Sequence, residues 1–385
     1  PSLIRGGNNF NLLTFSDKPV FSNDLKLDFM ISMDENTTKI HGEKLKDKKN
    51  IILFEKFSEL QRDSNIAQAS AFLKTIGVKK QDILKEIELQ FKHENALKAV
   101  EKGFNSETEK TVIKRLPGKT KNKTGNNGIV EGALKSGLKN YFSYPMTPST
   151  GVLNELADHR EIKIFQPESE VAGINQALGC SFTGALTMIG TSGGGFDLMT
   201  EGLSFVGMSE IPITIYLASR PGPSTGIPTY TSQADINLAL YSGHGEFPRV
   251  IVCPGSPEEC EEKTNEALFL SEKFKVPSII LSDKHLAESG FAIIEKAKIR
   301  KVSISRKIPG KGIVKANSYE QDKFGNTIED AELAKKNAEA RIKKSKEIKK
   351  FLEGIESYKI YGNKNSKKLI VSCGSTKGAI LDSLN

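Results

Sequence analysis

The chain has 385 residues, 37% hydrophobic and 26% charged, with 33 Gly, 15 Pro and no Trp. That composition excludes a collagen-like rod, a long coiled coil and a disordered chain, and the length allows two or three domains of roughly 100–200 residues. The net charge of +8 is concentrated in residues 110–123 and 335–350, which lack interleaved aromatics and nucleic-acid motifs and read as a solvated linker and a solvated helix, so no nucleic acid is expected.

No apolar run reaches the ~20 residues of a bilayer span, so no membrane association is expected. Cys180, Cys253, Cys260 and Cys373 form no C-x-x-C pair, and the histidines at 41, 93, 159, 244 and 285 lack metal-ligand spacing. A zinc or iron–sulfur site built by this chain alone is not expected. Scattered cysteines without a signal peptide point to the cytoplasm. Both ends read as cut, because residue 1 is Pro and the chain stops just after a strand-like run and a helix start. A piece of a longer protein is the expectation.

In chain order, residues 1–102 predict a partial α/β unit, with short buried strands at 28–33 and 51–54 and helices over 66–76 and 81–91. Residues 103–125 are polar and basic, with Pro117-Gly118 as a breaker pair, and predict a linker. In 126–290, strand-like runs end at Tyr144-Pro145-Met146 and recur at 162–165, 185–190, 213–218, 250–253 and 278–281, with helical stretches between them. The alternation predicts an α/β fold with a parallel sheet and right-handed crossovers. Residues 291–366 read as a connecting loop and a charged helix over 328–352. A new strand at 368–372 then opens a further domain over 367–385.

Parallel sheets bind ligands outside the carboxyl ends of their strands. Thr147 follows the first central strand, Glu168 and Glu170 the second, Ser192-Gly193-Gly194-Gly195 the third and Arg220 the fourth. Together they predict a small-molecule site offering a carboxylate, hydroxyls, backbone amides and a guanidinium. Singly, each has a plainer alternative. The glycine run is either an anion-binding turn or a tight strand-to-helix turn, and it matches neither a Walker loop nor G-x-G-x-x-G. Glu168 and Glu170 also suit a helix N-terminus as capping acids. Arg220, before Pro221-Gly222-Pro223, is either a preorganised anion ligand or an arginine on a rigid surface loop. His244 is either a polar site residue or a buried, hydrogen-bonded histidine.

The strings YPMTPST, FQPESEVAGINQALG, TSGGGFDLMTEGLSFVGMSEIPITI and SRPGPSTGIPTYTSQADINLALYSGHGEFPR resemble the alpha subunit of 2-oxoacid:ferredoxin oxidoreductases. PSLIRGGNNFNLLTFSDKPV, DFMISMDENTTKIH and NIAQASAFLKTIGV resemble that family's gamma module, and LIVSCGSTKGAI the start of its transketolase-C-like domain. A fused gamma–alpha chain around a thiamine-diphosphate pyrimidine-binding domain is thereby implied. So is oxidative decarboxylation of a 2-oxoacid, pyruvate or 2-oxoglutarate, with coenzyme A to acyl-CoA and CO2, electrons passing to ferredoxin.

The resemblance implies that Glu170 is the catalytic glutamate. It would contact the cofactor's aminopyrimidine and favour the tautomer that removes the thiazolium proton. It further implies that Thr147 and Arg220 bind the substrate, and that Ser192 and Gly193 line the cofactor. Nothing here resembles the family's Gly-Asp-Gly…Asn motif. Mg2+, the cofactor's diphosphate and the iron–sulfur cluster are implied on the beta subunit, without which this chain is expected to be inactive. The chain departs from the family at Gly194, where Pro is usual, and between Phe57 and Asn65, which is shorter than usual. Its gamma module also lacks the opening glycine-rich loop. Two other readings stand beside this one: a different split thiamine-diphosphate enzyme of transketolase type, and a degenerate, non-catalytic interaction subunit.

Overall fold

The computed structural model describes residues 9–91, 93–113, 120–293 and 297–384. The Pro117-Gly118 breaker and the first eight residues of the gamma-like string lie outside them. The described chain divides into two compact units, 9–113 and 120–384.

In the smaller unit, β1 (Met30–Ser32) precedes α1 (Glu35–His41), which is capped by Asp34 accepting from the Thr37 N–H. β2 (Ile51–Leu53) then pairs in parallel with β1, Met30 against Ile51. α2 (Ser64–Thr75), α3 (Lys80–Gln90) and α4 (Glu94–Asn105) complete the unit. Ala67 and Ala71 of α2 share a core with Ala96, Ala99 and Val100 of α4 and with Phe57. α4 has no counterpart among the helices expected from the sequence. Its buried stripe is Ala96, Ala99, Val100 and Gly103, at helical spacing but too small to stand out from the surrounding charges.

The larger unit opens with β3 (Lys121–Lys123), α5 (Gly125–Lys135), β4 (Asn140–Phe142), α6 (Thr150–Leu156), β5 (Lys163–Phe165) and α7 (Glu170–Phe182). It continues with β6 (Thr187–Thr191), α8 (Gly193–Leu198), α9 (Thr200–Ser209), β7 (Ile213–Ser219), α10 (Ile236–Tyr241), β8 (Val250–Val252) and α11 (Pro257–Phe274). β9 (Pro277–Asp283), α12 (Lys284–Glu288), β10 (Phe291–Ile293), α13 (Ala331–Glu353) and α14 (Thr376–Leu384) follow. Six strands form one parallel sheet in the order β5-β4-β6-β7-β9-β8.

Helices cover both faces, so β7 reads Ile-Thr-Ile-Tyr-Leu-Ala-Ser and is buried throughout. Its odd residues, Ile213, Ile215 and Leu217, pack with Ile174 of α7, Phe196 of α8 and Leu203 of α9. Tyr216 and Ala218 face the opposite layer, with Ile129 of α5 and Leu268 of α11. Burying each large aliphatic side chain is worth about 1.5–3 kcal/mol, and these two layers hold the sheet edge in place.

Three expectations are corrected. The end of the basic linker is a strand: β3 pairs antiparallel with β10, Lys123 opposite Phe291. The charged helix is only partly solvated, because α13 buries Ile348 and packs Phe351 and Leu352 against the core, with Lys344 paired to Glu210. Residues 368–372 form no ladder: no strand among the described residues pairs with them, and Leu369 and Val371 are 84% exposed. The irregular segment before α13 is tied to α11 by Arg306, which bonds Glu272 through Nε at 3.1 Å and Nη2 at 3.2 Å. No helix among the described residues is long and apolar enough to cross a membrane.

Candidate functional site

From β4 the chain crosses outward to β5, then returns past β4 to β6. Connections on the two sides of β4 thus run in opposite directions, which opens a crevice outside the carboxyl ends of β4 and β6. The turn carrying Thr147 follows β4, and the glycine turn follows β6. α7 begins with Glu170, and Arg220 directly follows β7.

Glu170 is the first residue of α7 and only 3% exposed. Its neighbour Ser169 performs the capping, accepting from the Ala172 N–H at 3.2 Å. Glu168 is exposed. Oε1 of Glu170 is buried without a protein partner. It lies against Gly195, where an added Cβ would collide with Oε1 and with Thr191 Oγ1.

The other end of the turn meets a second acid. A Cβ on Gly193 would lie 2.7 Å from each carboxylate oxygen of Asp235. Burial pushes the Asp235 carboxyl above its ordinary range, Ser219 opposes this, and the charge of Asp197 adds to the rise. A turn with a carboxylate at each end repels an anion, so the anion-binding alternative for Ser192–Gly195 is not favoured. Ser192 occupies the N-cap position of α8 without making a side-chain cap bond, and Gly193 beside it is buried. Oγ of Ser192 and Oγ1 of Thr229 are buried without a hydrogen-bond partner in the chain, and the Ser219 hydroxyl lies at the Asp235 carboxyl. Unpaired buried polar atoms are uncommon, and Ser192, beside Gly193 at the end of β6, leaves its hydroxyl available to a ligand.

Nη1 of Arg220 donates to the Thr147 carbonyl oxygen at 2.8 Å. Both flanking turns contain a cis peptide, Thr147–Pro148 and Gly222–Pro223. Burial lowers the Arg220 pKa and the negative charge of Glu170 opposes that drop, so the two groups feel one another. Thr147 and Arg220 are therefore in contact, with Glu170 in electrostatic range. His244 is exposed, and its backbone N–H donates to Ser204 Oγ at 2.6 Å, so it is not a buried, hydrogen-bonded histidine. Asp235, Ser219 and Thr229 were not singled out in sequence, where they are lone polar residues without motif spacing. Among the described residues, no group of three or more His, Cys, Asp or Glu side chains is arranged to hold a metal.

Residues 131–354 match the family described as pyruvate flavodoxin/ferredoxin oxidoreductase, thiamine diphosphate-binding. The chain is 32% identical over 375 residues to the 2-oxoacid:ferredoxin oxidoreductase subunit alpha of Saccharolobus solfataricus, across 85% of this chain and 59% of that relative. It is 40% identical over 178 residues to the 2-oxoglutarate oxidoreductase subunit KorA of Mycobacterium tuberculosis, across 44% of this chain and 27% of that one. The chain thus spans 59% of the length of the first relative. A 2-oxoglutarate:ferredoxin oxidoreductase from Magnetococcus marinus shares the fold, with a TM-score of 0.78 at 22% identity over 96% of this chain and 75% of that one. The match over residues 131–354 takes in the switch-point crevice and all four strand ends around it, and the chain belongs to the thiamine-diphosphate-binding family of pyruvate:flavodoxin/ferredoxin oxidoreductases.

Proposed function

We propose that this chain acts as the alpha subunit, in fused gamma–alpha form, of a 2-oxoacid:ferredoxin oxidoreductase. The reaction is oxidative decarboxylation of a 2-oxoacid, pyruvate or 2-oxoglutarate, with coenzyme A to acyl-CoA and CO2, electrons passing to ferredoxin. The observation that carries this reading is the buried, unpartnered Oε1 of Glu170, held on Gly195 at the switch-point crevice.

A buried carboxylate oxygen without a partner in the chain fits the ring nitrogen of an aminopyrimidine, so the residues present suit thiamine diphosphate. When bound, that cofactor supplies the electron sink for loss of CO2 from a 2-oxoacid. Glu170 would hold the ring nitrogen and exchange a proton at Oε1. The Ser192 hydroxyl and the Gly193 backbone would line the ring beside it. Arg220, oriented by its bond to Thr147 O, keeps further N–H groups for the substrate carboxylate. Thr147 would hold the carbonyl end, so the pair orients the 2-oxo carbon.

In this reading Mg2+, the cofactor's diphosphate and the iron–sulfur cluster belong to a beta subunit, and the complex works in the cytoplasm. Residues 1–102 are a partial gamma module, 126–290 the pyrimidine-binding domain, and 367–385 the start of a transketolase-C-like domain.

The test is co-expression with the partner subunit and assay of 2-oxoacid- and coenzyme-A-dependent reduction of a viologen dye. Activity is expected in the complex and not in the chain alone. Glu170→Gln should lower kcat by about 10²–10⁴-fold while the complex still assembles. A wild-type rate in that variant would remove Glu170 from the chemistry. A complex that turns over no 2-oxoacid would leave the non-catalytic reading.

A further inference from the structure

The turn that carries Thr147 is held from a second side by a residue lying before the matched segment 131–354. Asn126, in the first turn of α5, is 6% exposed. Its Nδ2 donates to the Pro148 carbonyl oxygen at 3.1 Å, and its Oδ1 accepts from Tyr216 Oη at 2.7 Å. Tyr216 is buried in β7, four residues before Arg220. Burial pushes its phenol well above the ordinary range, so the hydroxyl stays protonated and donates. With an acceptor at one end and a donor at the other, the Asn126 amide has one orientation.

The turn closes on itself through Ser149, whose N–H and Oγ both donate to Met146 O. These bonds shape the turn without tying it to the sheet. The ties are made at two consecutive carbonyls: Arg220 at Thr147 O, 2.8 Å, and Asn126 at Pro148 O, 3.1 Å. Both lead back to β7, through the residue that follows its last position and through Tyr216 within it.

We propose that Tyr216 and Asn126 are positioning residues of the 2-oxoacid site, a hydrogen-bonded chain from β7 to Pro148 that sets Thr147 against Arg220. This rests on the function proposed above. Neither residue touches substrate in that reading. Without the Asn126 amide the Pro148 carbonyl loses its buried donor, and the turn is left on the Arg220 bond alone.

The test uses the complete alpha–beta complex with Asn126→Ala and Tyr216→Phe. Gly151→Ala provides a second route, because a Cβ there would collide with Asn126 Nδ2 and shift that amide without replacing either proposed residue. Each variant is expected to raise KM for the 2-oxoacid about tenfold, within the range that small misplacements of a bound substrate cost. Thiamine diphosphate affinity should stay near wild type, while melting temperature falls modestly because buried polar groups lose partners. A wild-type KM in all three variants would overturn the proposal. So would a parallel fall in cofactor affinity and melting temperature, the signature of a purely structural role. Absence of 2-oxoacid turnover in the wild-type complex would overturn it together with the reading it rests on. That outcome is read from the wild-type arm alone.

Discussion

Oε1 of Glu170 and the α-carbon of Gly195 approach so closely that no side chain fits between them. The carboxylate is buried, and the glycine turn forms one wall of its pocket. Glycine at 195 is therefore a demand of the acid as well as of the turn.

Gly195→Ala should push the Glu170 carboxylate out of register while leaving the sheet intact. Thiamine diphosphate affinity of the complex, measured by titration calorimetry, is expected to fall about 10–100-fold, the cost of a roughly 1 Å misplacement. Unchanged affinity would mean that the cofactor does not contact Glu170.

Arg220→Lys keeps the positive charge but loses the planar fork that bonds Thr147 O and leaves N–H groups for a carboxylate. KM for the 2-oxoacid should rise by about tenfold or more while the cofactor binds as before. Steady-state kinetics with an unaltered KM would remove Arg220 from substrate binding.

Arg306 and Glu272 form a nearly dry pair, with side chains 6% and 3% exposed. Burial pushes the Glu272 carboxyl above its ordinary range, and Arg306 opposes that rise. Arg306→Ala leaves the carboxylate buried and unpaired, which costs about 3–5 kcal/mol. A urea unfolding midpoint close to wild type would contradict this, whereas adding Glu272→Gln to the variant should restore part of the loss.

Glu259 accepts from the Gly255 N–H at 2.8 Å and pairs with Lys377 at 2.7 Å and Lys359 at 3.1 Å. Burial pushes its carboxyl up, but Lys377, Gly255 and Lys359 outweigh it, and the net direction is below the ordinary 4.5. The folded pKa lies below the unfolded one, so this stabilisation is complete above about pH 4.5 and is lost as pH falls through the folded value. Hydrogen-exchange protection in α14, measured against the intrinsic rate at each pH, should fall in that acid window and stay high at neutral pH. Glu259→Gln should show the lower protection already at neutral pH, and a pH-independent protection factor would refute the link.

The parallel sheet was legible because its central strands are buried on both faces. Ile213–Ser219 and Pro277–Asp283 centre on the apolar runs 215–218 and 279–281 between helical stretches. Strand ends then mark where ligands sit, which is how Thr147, Glu170 and Arg220 came into view. β3 and residues 368–372 failed for a shared reason: a three-residue charged strand exists only through its partner β10, and an apolar run without a partner forms no strand. α4 stayed hidden because its buried face is alanine and glycine, residues that carry little hydrophobic signal.

Local order of residues by itself determined the alternation of strands and helices and the edge at which their chemistry gathers, because periodicity and turn chemistry act over a few neighbours. Tertiary structure alone decided which acids are buried. Glu168 and Glu170 stand two positions apart at one helix start, yet one is exposed and the other is sealed against Gly195. Asp235 reaches Gly193 from another loop, and Asn126 reaches Pro148 from α5. Burial and hydrogen-bond partners across such separations depend on how layers pack, and no pattern of neighbouring residues encodes that.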